Sequence, residues 1–135
     1  MKFFLDNCLS PAYARALREL AAIQEYGIVH LREMLEPGTQ DVTWIGILGE
    51  EKDWVIMSDD PRISRNKAER RAWHESGLTA FFFSDDFSRR GYWKQAADIV
   101  RWWPEIVLKA RGSPTGTDYL IPVKSSEMKC IYSPG

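Results

Sequence analysis

Three short apolar runs, each closing on an aspartate, constrain this chain more than any other feature. They are Phe3-Phe4-Leu5-Asp6, Val55-Ile56-Met57-Ser58-Asp59 and Phe81-Phe82-Phe83-Ser84-Asp85. Each is too brief for a buried helix and apolar at successive positions, the pattern of a strand covered on both faces. Helical patterns separate them. Ser10-Pro11 reads as a helix start, serine as cap and proline in the first turn. Tyr13, Ala14, Leu17, Leu20 and Ala21 then recur at helical spacing, with Gly27 as the stop. Ile28 to Leu31 predicts a second strand. Pro37-Gly38 predicts a turn, and Thr39 is the expected cap of a helix carrying Val42, Ile45 and Leu48. Asn66 to Glu75 predicts a charged helix stopped by Gly77. Tyr92 to Lys109 predicts a long one that Pro104 should kink or split. Thr117 to Val123 is the expected last strand.

Strands alternating with helices specify an α/β fold, a three-layer α-β-α sandwich with a mostly parallel central sheet. The expected domain spans residues 1–124, with residues 125–135 as a C-terminal tail. A chain of 135 residues suits one such domain. Its 18 Lys and Arg against 19 Asp and Glu leave a net charge of -1. That excludes a protein that coats nucleic acid by bulk attraction and leaves room for a local basic face. Cys8 and Cys130 lack the close spacing of a zinc or redox motif and read as reduced thiols. The apolar start ends at Asp6, too early for a signal peptide, and no stretch is long enough to cross a bilayer. A soluble, cytoplasmic protein with no membrane partner is expected.

Open parallel sheets bind ligands outside the carboxyl ends of their strands, where Asp6, Asp59 and Asp85 should converge. Two bare carboxylates about 4 Å apart repel by roughly 4 kcal/mol at an effective dielectric near 20, so such a cluster needs protons or a cation. Hard oxygen donors without histidine or cysteine suit Mg²⁺ or Mn²⁺. The competing reading is that each aspartate caps the helix after it. Asp6 resists that reading, because Ser10 already provides the cap. Asp41 falls in a first helical turn, where an acid also favours the dipole. Arg62, Arg65, Lys67, Arg70 and Arg71 either neutralise phosphates beside the acids or form the solvated face of a charged helix. Most of the six tryptophans should be core. Trp102 and Trp103, adjacent on one helix, should not both face inward, so one is expected at a partner surface. His30 and His74 read as structural or exposed.

Phe3-Phe4-Leu5-Asp6-Asn7-Cys8-Leu9-Ser10-Pro11 resembles the first strand and helix start of PIN-like proteins. Trp54-Val55-Ile56-Met57-Ser58-Asp59 is similar to their apolar strand ending in Ser or Thr and then Asp. Gly38-Thr39-Gln40-Asp41 looks like the turn where the family carries its middle acid. The stretch from Arg62-Ile63-Ser64-Arg65 to Phe81-Phe82-Phe83 resembles the VapC-type toxin subgroup. The resemblance reaches to about Val123. It implies a Mg²⁺- or Mn²⁺-dependent endoribonuclease, the toxin of a toxin–antitoxin pair, leaving 3′ hydroxyl and 5′ phosphate ends. It makes Asp6, Asp41 and Asp59 the catalytic metal ligands, with Asp60 or Asp85 as a fourth acid; Asn7, Arg62 and Arg65, which follow these acids in sequence, are the expected substrate-binding residues. RNA, an antitoxin and a second copy of the chain are the expected partners. The middle acid is often Glu in this family and is Asp41 here, which leaves one metal or two open. Two other readings stand beside it. One is a receiver-type signalling domain phosphorylated at Asp59, with Asp6, Ser84 and Lys124 in supporting roles. The other is a PIN-like module that binds without cutting.

Overall fold

The computed structural model describes residues 1–59 and 67–134. Asp60, Arg62 and Arg65 lie outside the described residues, and so does Asn66, the expected start of the charged helix.

In chain order the elements are β1 (Lys2–Leu5), α1 (Pro11–Leu20), a 3₁₀ turn (Ala22–Gln24), β2 (Gly27–His30), α2 (Leu31–Met34), α3 (Asp41–Glu51), β3 (Trp54–Ser58), α4 (Lys67–Ser76), β4 (Thr79–Phe83), α5 (Asp85–Ser88), α6 (Tyr92–Gly112), β5 (Asp118–Ile121) and β6 (Lys129–Tyr132). The sheet order is β2-β1-β3-β4-β5-β6, parallel throughout except for β6, which runs antiparallel to β5. The α/β reading from apolar runs is therefore the observed architecture.

Successive strand residues point to opposite faces, and this alternation separates two cores. Phe3, Leu5, Val55, Met57, Phe81 and Phe83 face α1 and α6, meeting Tyr13, Leu17, Ile99 and Ile106. Phe4, Trp54, Ile56, Ala80 and Phe82 face α3 and α4, meeting Trp44, Leu48 and Trp73. Gly49 makes the second layer tight, since a Cβ there would come within 3.0 Å of the Ser76 Cβ.

Several local expectations differ from the structure. Helix α1 ends at Leu20, well before Gly27, because Ala21 closes it and Glu25 takes the left-handed conformation (φ 58°). Gly27 instead opens β2. The residue flanking α3 is Gln40, and Thr39 donates its hydroxyl to the Glu36 carbonyl. Pro104 does not split α6, which runs unbroken from Tyr92 to Gly112. The carbonyl that proline leaves unbonded belongs to Val100, a half-exposed residue open to water.

Trp102 and Trp103 require a correction: both are buried, at 5% and 6% exposure. Trp103 packs on Phe3, with ring centroids 4.6 Å apart, and its indole N–H donates to Gln24 Oε1 (3.2 Å). Trp102 borders the same cleft as Ser126, Glu127 and Met128. Within residues 125–135, expected as a tail, Met128 packs against the core cluster that holds both indoles and Lys129–Tyr132 forms β6, so neither indole is left exposed for a partner. The exposed tryptophan is Trp93, at 81%.

Candidate active site

The register explains how the site assembles. Leu5 lies opposite Met57 in the β1–β3 pair, so the next residues, Asp6 and Ser58, are also opposed across strands about 4.8 Å apart. The Asp6 N–H extends the ladder by donating to the Met57 carbonyl (3.0 Å). Ser10 caps α1, its hydroxyl accepting the Ala12 N–H (3.2 Å), which leaves Asp6 free of capping duty.

Asp6 is buried, at 7% exposure, and each carboxylate oxygen meets a donor. The Asn7 N–H donates to Oδ1 (2.6 Å) and the Ser58 hydroxyl to Oδ2 (3.1 Å). Cys8 ties this strand end to the next. Its sulfur lies 3.3 Å from Ser58 Oγ and 3.9 Å from Asp6 Oδ2, and it accepts the Asp59 N–H (3.3 Å). Cys8 is exposed as a residue, but its sulfur is turned in among these groups. Burial, with the Asp6 charge beside it, pushes the thiol far up, so Cys8 serves as a neutral link and not as a thiolate.

A cleft of about 600 Å³ opens over Asp6. Asn7, Cys8, Leu31, Arg32, Leu35, the Pro37–Thr39 turn and Asp41 complete its wall. Asp41 is the first residue of α3, and the Trp44 indole N–H donates to its Oδ1 (3.0 Å). Gly38, at φ 83°, makes the turn that brings α3 to this edge. Asp6 and Asp41, 35 positions apart in sequence, face one space. Asp59 does not line that space but is linked to it through Cys8. Asp85 opens α5, is exposed, and lies outside the cleft wall. Arg90, a further basic residue near this edge, is held by Asp98 at 2.7 Å.

Among the described residues, no three His, Cys, Asp or Glu side chains stand close enough to share one ion. The donor chemistry nevertheless fits a hydrated Mg²⁺, which keeps several waters and takes one or two carboxylates directly. Asp6 and Asp41 are the acids that share the cleft, and hard oxygen acids favour Mg²⁺ or Mn²⁺ over softer metals.

One site residue, Arg32, escaped the sequence reading, and the residue that anchors it, His30, is structural as read. His30 is buried with both ring nitrogens engaged: Nε2 lies 2.6 Å from the Leu9 carbonyl and Nδ1 accepts the Arg32 N–H (3.0 Å). Those partners require the neutral ring with its proton on Nε2, and burial lowers its pKa, against the Leu9 bond, which works the other way. Arg32 reaches across to Asn7, its Nε–H donating to Asn7 Oδ1 (2.8 Å). Asn7, expected to contact substrate, thus has its side-chain oxygen turned to Arg32. The signal for Arg32 was available in the sequence: it follows a strand end, on the same edge as the aspartates.

No curated protein and no solved structure matches the chain. The family model of the PIN like domain does match, over residues 1–85, which takes in Asp6, Arg32, Asp41, Asp59 and the first four strands. The chain belongs to the PIN-like domain family, whose fold is of nuclease type and whose members commonly use divalent metals.

Proposed function

We propose that this protein is a Mg²⁺- or Mn²⁺-dependent endoribonuclease, the toxin of a toxin–antitoxin pair, with Asp6, Asp41 and Asp59 as its metal-holding acids. The observation that carries the reading is the pair of acids from distant parts of the chain, Asp6 and Asp41, lining one cleft at the carboxyl edge of the sheet.

When bound, a divalent ion supplies an activated water and neutralises charge on the phosphate under attack. The chain's own residues set the stage. Asn7 N–H and the Ser58 hydroxyl fix the Asp6 carboxylate in one orientation, so little reorganisation is needed on binding. The Trp44 indole does the same for Asp41 while leaving Oδ2 without a bond from it. Hydrolysis adds water oxygen to phosphorus and breaks the P–O3′ bond, leaving a 5′ phosphate and a 3′ hydroxyl. Asp85 is a weaker candidate for a fourth ligand, since it is exposed and does not line the cleft. An antitoxin and a second copy of the chain remain the proposed protein partners.

Family membership supports this reading over a phosphorylated receiver domain. The site also has Asn7, and not a second acid, beside Asp6. The test is cleavage of single-stranded and hairpin RNA with Mg²⁺, Mn²⁺ or chelator. Asp6→Asn and Asp59→Asn should each lower the rate by about 10²- to 10³-fold, the scale of losing one preorganised electrostatic contact. Wild-type cleavage retained in both variants would end the assignment. Retained metal and RNA binding without cleavage by the wild type would favour the non-catalytic module. The toxin role predicts that induced wild-type protein arrests bacterial growth and that Asp6→Asn does not.

A further inference from the structure

We propose that Arg32 is the phosphate-gripping residue of the substrate cleft, fixed in place by Asn7 and His30; this rests on the ribonuclease reading and names how that site holds its substrate. Arg32 lines the cleft with Asp6 and Asp41, yet it makes no ion pair with either acid. A cation and two carboxylates share a small space without neutralising one another. An anionic group lying between them, with the acids' cation on its other side, satisfies both sides at once.

Arg32 is anchored in a manner that leaves its binding end available. Its backbone N–H donates to His30 Nδ1 (3.0 Å), and its Nε–H donates to Asn7 Oδ1 (2.8 Å). His30 is held by the Leu9 carbonyl and, through its own N–H, by Glu33 Oε1 (2.9 Å). Glu33 is in turn clamped by both terminal nitrogens of Arg18 (2.7 and 2.8 Å). Three segments, the loop after β1, helix α2 and the last turn of α1, therefore converge around one arginine. Among the described residues, its two terminal nitrogens make no hydrogen bond. That planar pair matches the two non-bridging oxygens of a phosphodiester. The guanidinium is tethered at Nε by Asn7, while buried His30 fixes the Arg32 backbone as the cap of α2. Arg32 is thus the direct ligand, and Asn7 and His30 are positioning residues.

The experiment measures binding of a short single-stranded RNA in chelator, where no cleavage occurs, across a salt series. Wild-type cleavage in Mg²⁺ is measured on the same preparation. Arg32→Gln should weaken binding about tenfold, the worth of one charged hydrogen-bonded contact. It should also reduce the slope of log affinity against log salt by about 0.7, the share of one phosphate on a single strand. Arg32→Lys should keep the slope and lose affinity, because a lysine cannot make the Asn7 bond and the phosphate fork together. Asn7→Ala should raise KM severalfold with the salt slope unchanged. Arg32 is exposed, and an unchanged melting temperature confirms that each variant is folded. Wild-type affinity and slope in Arg32→Gln overturn the proposal, as does a wild type that binds no RNA. A wild type that binds RNA through Arg32 but never cuts it sinks the ribonuclease reading and leaves this inference standing.

Discussion

Two aspartates sit at opposite ends of the sheet, each paired with a tryptophan indole, and their surroundings could hardly differ more. Asp41, at the carboxyl edge, accepts the Trp44 N–H and opens onto the cleft. Asp118 starts β5 at the other edge, at 3% exposure, and accepts the Trp73 N–H on Oδ2 (2.9 Å). Its Oδ1 is buried with no partner among the described residues. Burial pushes Asp118 up to about 7, against the opposing pull of the Trp73 bond and the Ala80 N–H. The two indoles meet edge to face, centroids 6.4 Å apart, so one aromatic layer serves a cleft-lining acid on one side and an enclosed one on the other. Access to water separates their roles. An acid open to solvent can hold a hydrated ion, whereas an enclosed one holds a proton and couples stability to pH.

The largest effect should separate the edges by activity. Asp6→Asn should lower cleavage by about 10²- to 10³-fold, as above, while Asp118→Asn should cut RNA at the wild-type rate. Loss of activity in Asp118→Asn with an intact fold would erase the distinction.

The next effect is thermodynamic. Asp118 binds its proton more tightly folded, at about 7, than unfolded, near 3.8. Its contribution is therefore most favourable below about pH 4 and is lost as pH rises through 7, by roughly 4 kcal/mol at most. Other carboxylates impose their own slopes, so the measurement is the difference between wild type and Asp118→Asn in urea unfolding from pH 4 to 8. The variant should gain on the wild type as pH rises. A constant difference would refute the assignment.

The paired tryptophans sharpen the comparison. Both are fully buried, so replacing either by Phe costs comparable packing. Trp73→Phe also strips the donor from an enclosed acid and should cost about 1–3 kcal/mol more than Trp44→Phe. Trp44→Phe leaves Asp41 able to take water in place of the indole. It should instead weaken Mn²⁺ binding by about tenfold, the scale of losing a group that orients a ligand. Equal stability losses would mean that the two acids are enclosed alike. The smallest effect belongs to the surface: Arg71→Ala, which breaks an exposed pair with Glu75, should change stability by less than about 0.5 kcal/mol.

The strand reading succeeded where chemistry and geometry coincide. Phe81-Phe82-Phe83 can be buried on both faces only in an interior strand, and Thr79–Phe83 is the observed β4. Asp6 was legible because a polar side chain ends an apolar run and a separate serine caps the helix. Asp41 needed the family pattern, since an acid in a first helical turn is also what the dipole favours. Arg32 went unnoticed although the same strand-end rule covers β2. Its partners, Asn7 and His30, lie 25 and 2 positions away, and the longer of those separations carries no local periodicity. Trp102 and Trp103 misled for a related reason. Burying adjacent helix residues needs cover from two directions, and part of that cover is Met128, a lone apolar residue that belongs to no apolar run.

By itself the sequence determined the alternation of elements, the parallel sheet with helices on both faces, and the carboxyl edge as the place where acids gather. These follow from hydrophobic period and strand direction, which are local properties. Only the tertiary structure decided which acids share a cleft, which arginine faces them, and which aspartate is shut away from water. Those outcomes depend on register between strands and on what covers each side chain, and both are set by contacts between residues far apart along the chain.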